Sequence, residues 1–100
     1  MHIREYQKLA TAIMDKIDKK FSLNRDAQLN LSQLVEELGE LAKVVNLEKL
    51  RNKKPEKKDL EEEFADVFLQ FAKLADLFDV DLEKAVLDRI EVLKKRYNLD

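Results

Sequence analysis

Asp59-Leu60-Glu61-Glu62-Glu63-Phe64-Ala65-Asp66-Val67-Phe68-Leu69-Gln70-Phe71-Ala72-Lys73-Leu74-Ala75-Asp76-Leu77-Phe78 is the stretch on which the fold turns. It contains neither Gly nor Pro, and its length suits about five helical turns. Phe64, Ala65, Val67, Phe68, Leu69, Phe71, Ala72, Leu74, Ala75, Leu77 and Phe78 nearly encircle such a helix. A helix apolar on most sides is buried on more than one of them. The spacing therefore predicts a central helix over 59–78, with Asp59 as its cap and Glu62 completing a capping box.

The stretch is preceded by a charged connector, Arg51-Asn52-Lys53-Lys54-Pro55-Glu56-Lys57-Lys58, which holds the only proline. Before it, Leu31, Leu34, Val35, Leu38, Leu41, Ala42 and Val45 share one face of a helix predicted over 26–50. Ile3, Tyr6, Leu9, Ala10, Ile13, Met14 and Ile17 form the stripe of a first helix over 3–20. Ser22, Asn24 and Asp26 break it and offer caps to the second. After the central helix, Asp79 or Asp81 can cap a last helix striped by Leu82, Val86, Ile90, Leu93 and Tyr97. The expected fold is all-α, one domain over 1–100. Its protomer resembles a four-helix bundle and assembles into a dimer or tetramer through its central helix.

Composition narrows the function classes. A formal charge of −2 exerts no pull toward nucleic acid or anionic membrane. The absence of Cys excludes disulfides, thiolate metal sites and a cysteine nucleophile. No apolar run approaches a membrane span, and Met1-His2-Ile3-Arg4-Glu5 lacks the apolar stretch of a signal peptide. A cytoplasmic protein that binds neither membrane nor nucleic acid is expected; the connector lysines lack interleaved aromatics.

Two acidic clusters stand out: Glu36-Glu37-Leu38-Gly39-Glu40 and Glu61-Glu62-Glu63-Phe64-Ala65-Asp66. Residues three apart on a helix sit one turn apart on nearly the same face. Glu37 with Glu40, and Glu63 with Asp66, are thus two pincers that converge if their helices pack antiparallel. Four close carboxylates repel one another and call for a cation. Mg²⁺ or Mn²⁺ takes such oxygen ligands and completes its shell with water and phosphates. Glu61 and Glu62 have a simpler explanation, because acidic residues in a first turn complement the helix dipole. Asp66, a full turn inside the most apolar helix, does not. A ferritin-like di-iron centre would need Glu-x-x-His on two helices, and the only histidine is His2. No EF-hand loop is present either.

Glu36-Glu37-x-x-Glu40 followed by Glu63-x-x-Asp66 resembles the signature of the MazG-like nucleotide pyrophosphohydrolases, an all-helical superfamily. Leu34 to Ala42 looks like the family's first motif, and Glu62 to Val67-Phe68 like its second. Val80 to Val86 and the basic ending Lys94-Lys95-Arg96-Tyr97 look like its C-terminal helix. The resemblance spans about residues 26–97. It implies hydrolysis of (d)NTP to (d)NMP and pyrophosphate with Mg²⁺. It also implies Glu37, Glu40, Glu63 and Asp66 as metal ligands, and Glu36 orienting a ligand or the attacking water. Two departures narrow the branch. Leu93 stands where dCTP- and dUTP-acting members carry Asn. Gln70 stands where phosphoribosyl-ATP pyrophosphatases tend to carry His.

Candidate triphosphate contacts are Lys73, Lys94 and Arg96, with Lys43 as a further possibility beside Glu40. Last-turn cations also complement the dipole, so the basic ending has a structural explanation as well. Phe21 and Tyr6 are apolar surfaces available to a base. The rival reading is a helical interaction module whose acidic patches meet a basic partner. Such a module needs net charge, whereas the enzyme needs individual ligands and a divalent ion.

Overall fold

The computed structural model describes residues 2–100. It contains α1 (Ile3–Lys20), α2 (Ala27–Val45), α3 (Leu47–Arg51), α4 (Lys57–Leu77) and α5 (Leu82–Arg96). No strand is present among the described residues, and no helix is long and apolar enough to cross a membrane.

The helix boundaries follow local chemistry. The Asp26 carboxylate accepts from the Leu29 backbone N–H at 2.8 Å, and Asp81 from that of Lys84 at 3.2 Å, satisfying amides that helix starts leave orphaned. Asp59 does not cap α4. The N-cap is Glu56, without a side-chain bond, and Asp59 sits inside the first turn. Pro55 bars helix before it, and Glu56-Lys57-Lys58 opposes helix nowhere, so the helix begins straight after the proline. The helix expected over 26–50 is divided at Asn46. There the Ala42 carbonyl accepts both the Asn46 backbone N–H at 3.0 Å and the Asn46 side-chain amide at 2.9 Å, where α2 ends and α3 begins.

The chain's one glycine lies inside α2, so other residues take the left-handed positions that close helices. Ser22, Asn52, Asp79 and Asn98 all have φ between 52° and 56°. After three of them the next amide returns to a carbonyl of the last turn: Leu23 to Asp18, Val80 to Ala75 and Leu99 to Lys94, at 2.8–2.9 Å.

Contacts between side chains fix the topology. Asn30 meets Gln70, while Glu37, further along α2, meets Glu63 and Asp66, earlier in α4. Helices α2 and α4 are therefore antiparallel. Asp15 pairs with Lys73 and Arg4 with Asp81, so α1 is antiparallel to α4 as well. Helix α4 lies between α1 and α2, while α5 packs principally on α1.

The buried core is small. Ala10, Ala72 and Leu82 form its centre, with Phe68, Leu69 and Ala75 packed against them. On α1 the seam keeps only Ala10 and Met14 of the expected stripe. Gln7, Ala10, Met14 and Asp18 are buried, whereas Tyr6, Leu9, Ile13 and Ile17 remain half exposed. Tertiary hydrogen bonds draw the polar pair inward. The Gln7 amide donates to the Val80 carbonyl at 2.7 Å and accepts from the Leu82 N–H at 3.0 Å, stapling the α4–α5 turn to α1. On α2 the packed residues are Asn30 and Leu34, and the flank of Leu31, Val35 and Leu38 is exposed. Phe64 and Phe71 on α4, with Phe78 just past its end, form a similar exposed ridge.

Candidate metal centre and adjoining cavity

The antiparallel pair α2–α4 carries the chemistry. Oxygens of Glu37, Glu63 and Asp66 all lie within 4.8 Å of one another. Glu63 and Asp66 are three apart on α4 and share a face; Glu37 comes across from α2 because the two helices run in opposite directions. None of the three belongs to an ion pair among the described residues. Glu63 Oε2 is sealed from solvent and has no hydrogen-bond partner. Burial pushes the carboxyls of Glu37 and Glu63 above the usual carboxylate range, and the negative charges of Asp66 and Glu40 push them further.

The remaining expected site residues sit around this cluster or away from it. Glu40 is close enough to repel Glu37 and Glu63 but pairs with Lys43 at 3.2 Å, both side chains being well exposed. Glu36 is exposed beside Glu37. Lys73 is buried between α1 and α4, its ammonium 2.8 Å from Asp15 and 3.5 Å from Asp76. Lys94 and Arg96 occupy the last turn of α5, where Lys94 lies 3.7 Å from Glu91.

A cavity of about 300 Å³ opens beside the cluster, with Glu37 and Asp66 at one end and Met14, Ile17, Phe21, Leu23 and Leu69 as apolar walls. The size falls at the lower limit of small-molecule sites. Tyr6 does not line it, but Phe21 does. Its polar wall centres on Arg25, whose side chain is only 5% exposed. The guanidinium grips Asp18 with two bonds, Nε to Oδ2 at 2.7 Å and Nη2 to Oδ1 at 2.9 Å. Its Nη1 donates to Gln33 Oε1, to Gln70 Oε1 at 3.1 Å and to Asn30 Oδ1 at 3.4 Å. Asn30, fully buried, donates in turn to the Gln70 carbonyl at 2.8 Å.

Sequence reasoning passed over Asp18, Arg25, Asn30 and Gln33. A signal existed: Asn30, Gln33 and Glu37 recur at helical spacing, placing polar groups along one line of α2. That this line is the packed one could not be read without knowing where α4 lies.

Fold and site together define an all-helical protein with an oxygen-rich acidic cluster spanning an antiparallel helix pair, beside a half-polar cavity. The chain belongs to the MazG nucleotide pyrophosphohydrolase domain family, whose model matches residues 25–98. No curated protein and no solved structure matches it.

Proposed function

We propose that this protein hydrolyses nucleoside triphosphates, (d)NTP and water giving (d)NMP and pyrophosphate, with Mg²⁺ or Mn²⁺, in housekeeping of the cytoplasmic nucleotide pool. The observation that carries this is the convergence of Glu37, Glu63 and Asp66 without a basic partner. The donor set fits a hard divalent ion: every group is a carboxylate, and the orphaned Glu63 Oε2 is a buried oxygen lacking a positive neighbour. Glu37, Glu63 and Asp66 would hold the ion, with Glu40 joining as a fourth ligand by releasing Lys43. When bound, the ion supplies charge neutralisation at the phosphate oxygens and lowers the pKa of an attacking water.

The chain's own groups supply orientation and proton handling. Glu36, beside the ligands on α2, would align the water and accept its proton as it attacks the α-phosphorus. Lys94 and Arg96 are the proposed triphosphate contacts, together with Lys73, which would first have to give up Asp15 and Asp76. Self-association into a dimer or tetramer belongs to the same proposal, since apolar flanks of α1, α2 and α4 are uncovered in one chain. Neither membrane nor nucleic acid is a partner in this proposal.

A panel of nucleotides with Mg²⁺, assayed for pyrophosphate against orthophosphate, tests the reaction. Monophosphate and pyrophosphate are expected. Diphosphate and orthophosphate would overturn attack at the α-phosphorus. No turnover with either ion would favour the acidic interaction module.

A further inference from the structure

We propose that Gln33 and Gln70, held by Arg25 in the cavity beside the carboxylates, select nucleobases that present a carbonyl oxygen over those that present an amino group. This deepens the triphosphate reading of the site and rests on it.

The orientation of both amides follows from donor chemistry. Arginine has five N–H donors and no acceptor, so any amide facing it must turn its oxygen inward. Arg25 Nη1 donates to the oxygens of both Gln33 and Gln70. Their NH₂ groups are consequently the free ends, and neither donates to another group among the described residues. Both glutamines line the cavity and are only partly buried. Asp18, the cavity's other acceptor away from the metal cluster, has each carboxylate oxygen bonded to Arg25. Asn30 accepts from Arg25 and donates to the Gln70 carbonyl, which ties the backbone at Gln70 to the network. The polar wall therefore offers two amide donors, both pinned by a buried ion pair.

The apolar walls suit a flat ring, and Glu37 and Asp66 close the end toward which a triphosphate would extend. Uracil, thymine, hypoxanthine and guanine carry an oxo acceptor where cytosine and adenine carry an amino donor. Two donors facing an amino group leave both sides unpaired, whereas an oxo group satisfies them.

The test compares kcat/KM for dUTP against dCTP and for ITP against ATP with Mg²⁺. Each pair keeps ring size, sugar and phosphates and exchanges an oxo edge for an amino one. The oxo member should be favoured by about tenfold to a hundredfold in both pairs. Gln33→Glu and Gln70→Glu retain the oxygen that Arg25 holds but turn the free end into an acceptor. Either should abolish or invert the preference, with folding checked by circular dichroism. Titrating the protein with dUMP and dCMP, without metal, reads the same discrimination independently of turnover. Equal kcat/KM within both pairs, or an amino preference, overturns the base selection while leaving the hydrolysis intact. Turnover of no triphosphate, alongside preferential dUMP binding, would instead overturn the hydrolysis and keep the selection.

Discussion

Glu37 and Glu63 hold protons more tightly in the folded chain than a free glutamate does, because burial and mutual repulsion disfavour their charge. With folded pKa values raised, native protein binds more protons than unfolded, so these groups subtract stability as pH rises from the ordinary glutamate range through the raised values. The subtraction persists at higher pH. Asp81 works oppositely: the Lys84 amide and Arg4 lower its pKa, and its contribution is lost only as pH falls through that lowered value. The difference between parent and Glu63→Gln isolates the cluster. Metal-free melts should show the variant as stable as the parent in acid and increasingly the more stable toward neutrality. Added Mg²⁺ should stabilise the parent more as pH rises, since the ion binds deprotonated carboxylates. Glu63→Gln and Asp66→Asn should each lower turnover by on the order of a hundredfold or more. Exposed Glu61→Gln should change neither measurement. Full activity and an unaltered Mg²⁺ response in Asp66→Asn would exclude it as a ligand.

At the level of the element, α2 holds the chain's one glycine in its interior. Gly39 lies on α2 between Glu36 and Glu40 and faces open space, with no atom beyond its own stretch of helix within 4 Å of where a Cβ would sit. Glycine there costs about 1 kcal/mol relative to alanine, through the backbone entropy lost on folding. Gly39→Ala should therefore raise stability by about that amount in urea unfolding. A loss of stability would mean that a second copy occupies the space beside α2. Helix α1 teaches a related point. Its seam was displaced because Gln7 and Asp18 have tertiary partners, Val80 and Leu82 for one and Arg25 for the other. Buried polar groups are tolerated where every bond is made, and those bonds then decide which ridge faces inward.

For the whole molecule, the Cα radius of gyration is 16.3 Å, against about 13 Å for a closed domain of this length. In keeping with this, α5 leans principally on α1, and α3 contacts chiefly α2. Each long helix carries an apolar arc wider than one chain covers. Ile13 and Ile17 on α1, Phe64 and Phe71 on α4, and Leu87 and Ile90 on α5 are all left outside. Soluble monomers rarely leave so much apolar surface uncovered. Light scattering should report a dimer or tetramer, and Ile13→Glu or Phe71→Glu should shift it toward monomer. A stable parent monomer at micromolar concentration would contradict this.

Periodicity and the scarcity of Gly and Pro were enough to determine the all-helical class and every long helix. The paired motifs around Glu37 and Asp66 were enough to single out the family, and three of their carboxylates, Glu37, Glu63 and Asp66, are brought together by the fold. Periodicity and motifs are local: they depend on spacing along one helix, and helical geometry is the same wherever the helix lies. Which face of each helix turns inward was settled only by packing. Apolar arcs broader than one seam leave several rotations possible. The choice is made by long-range bonds such as Gln7 to Val80, Asp18 to Arg25 and Asn30 to Gln70. The cavity wall was hidden for the same reason. Arg25 lies in a connector, Asp18 on α1 and Gln70 on α4, and nothing in their order along the chain joins them. They meet because α1 and α2 both run antiparallel to α4, and that arrangement turns scattered polar residues into one wired surface.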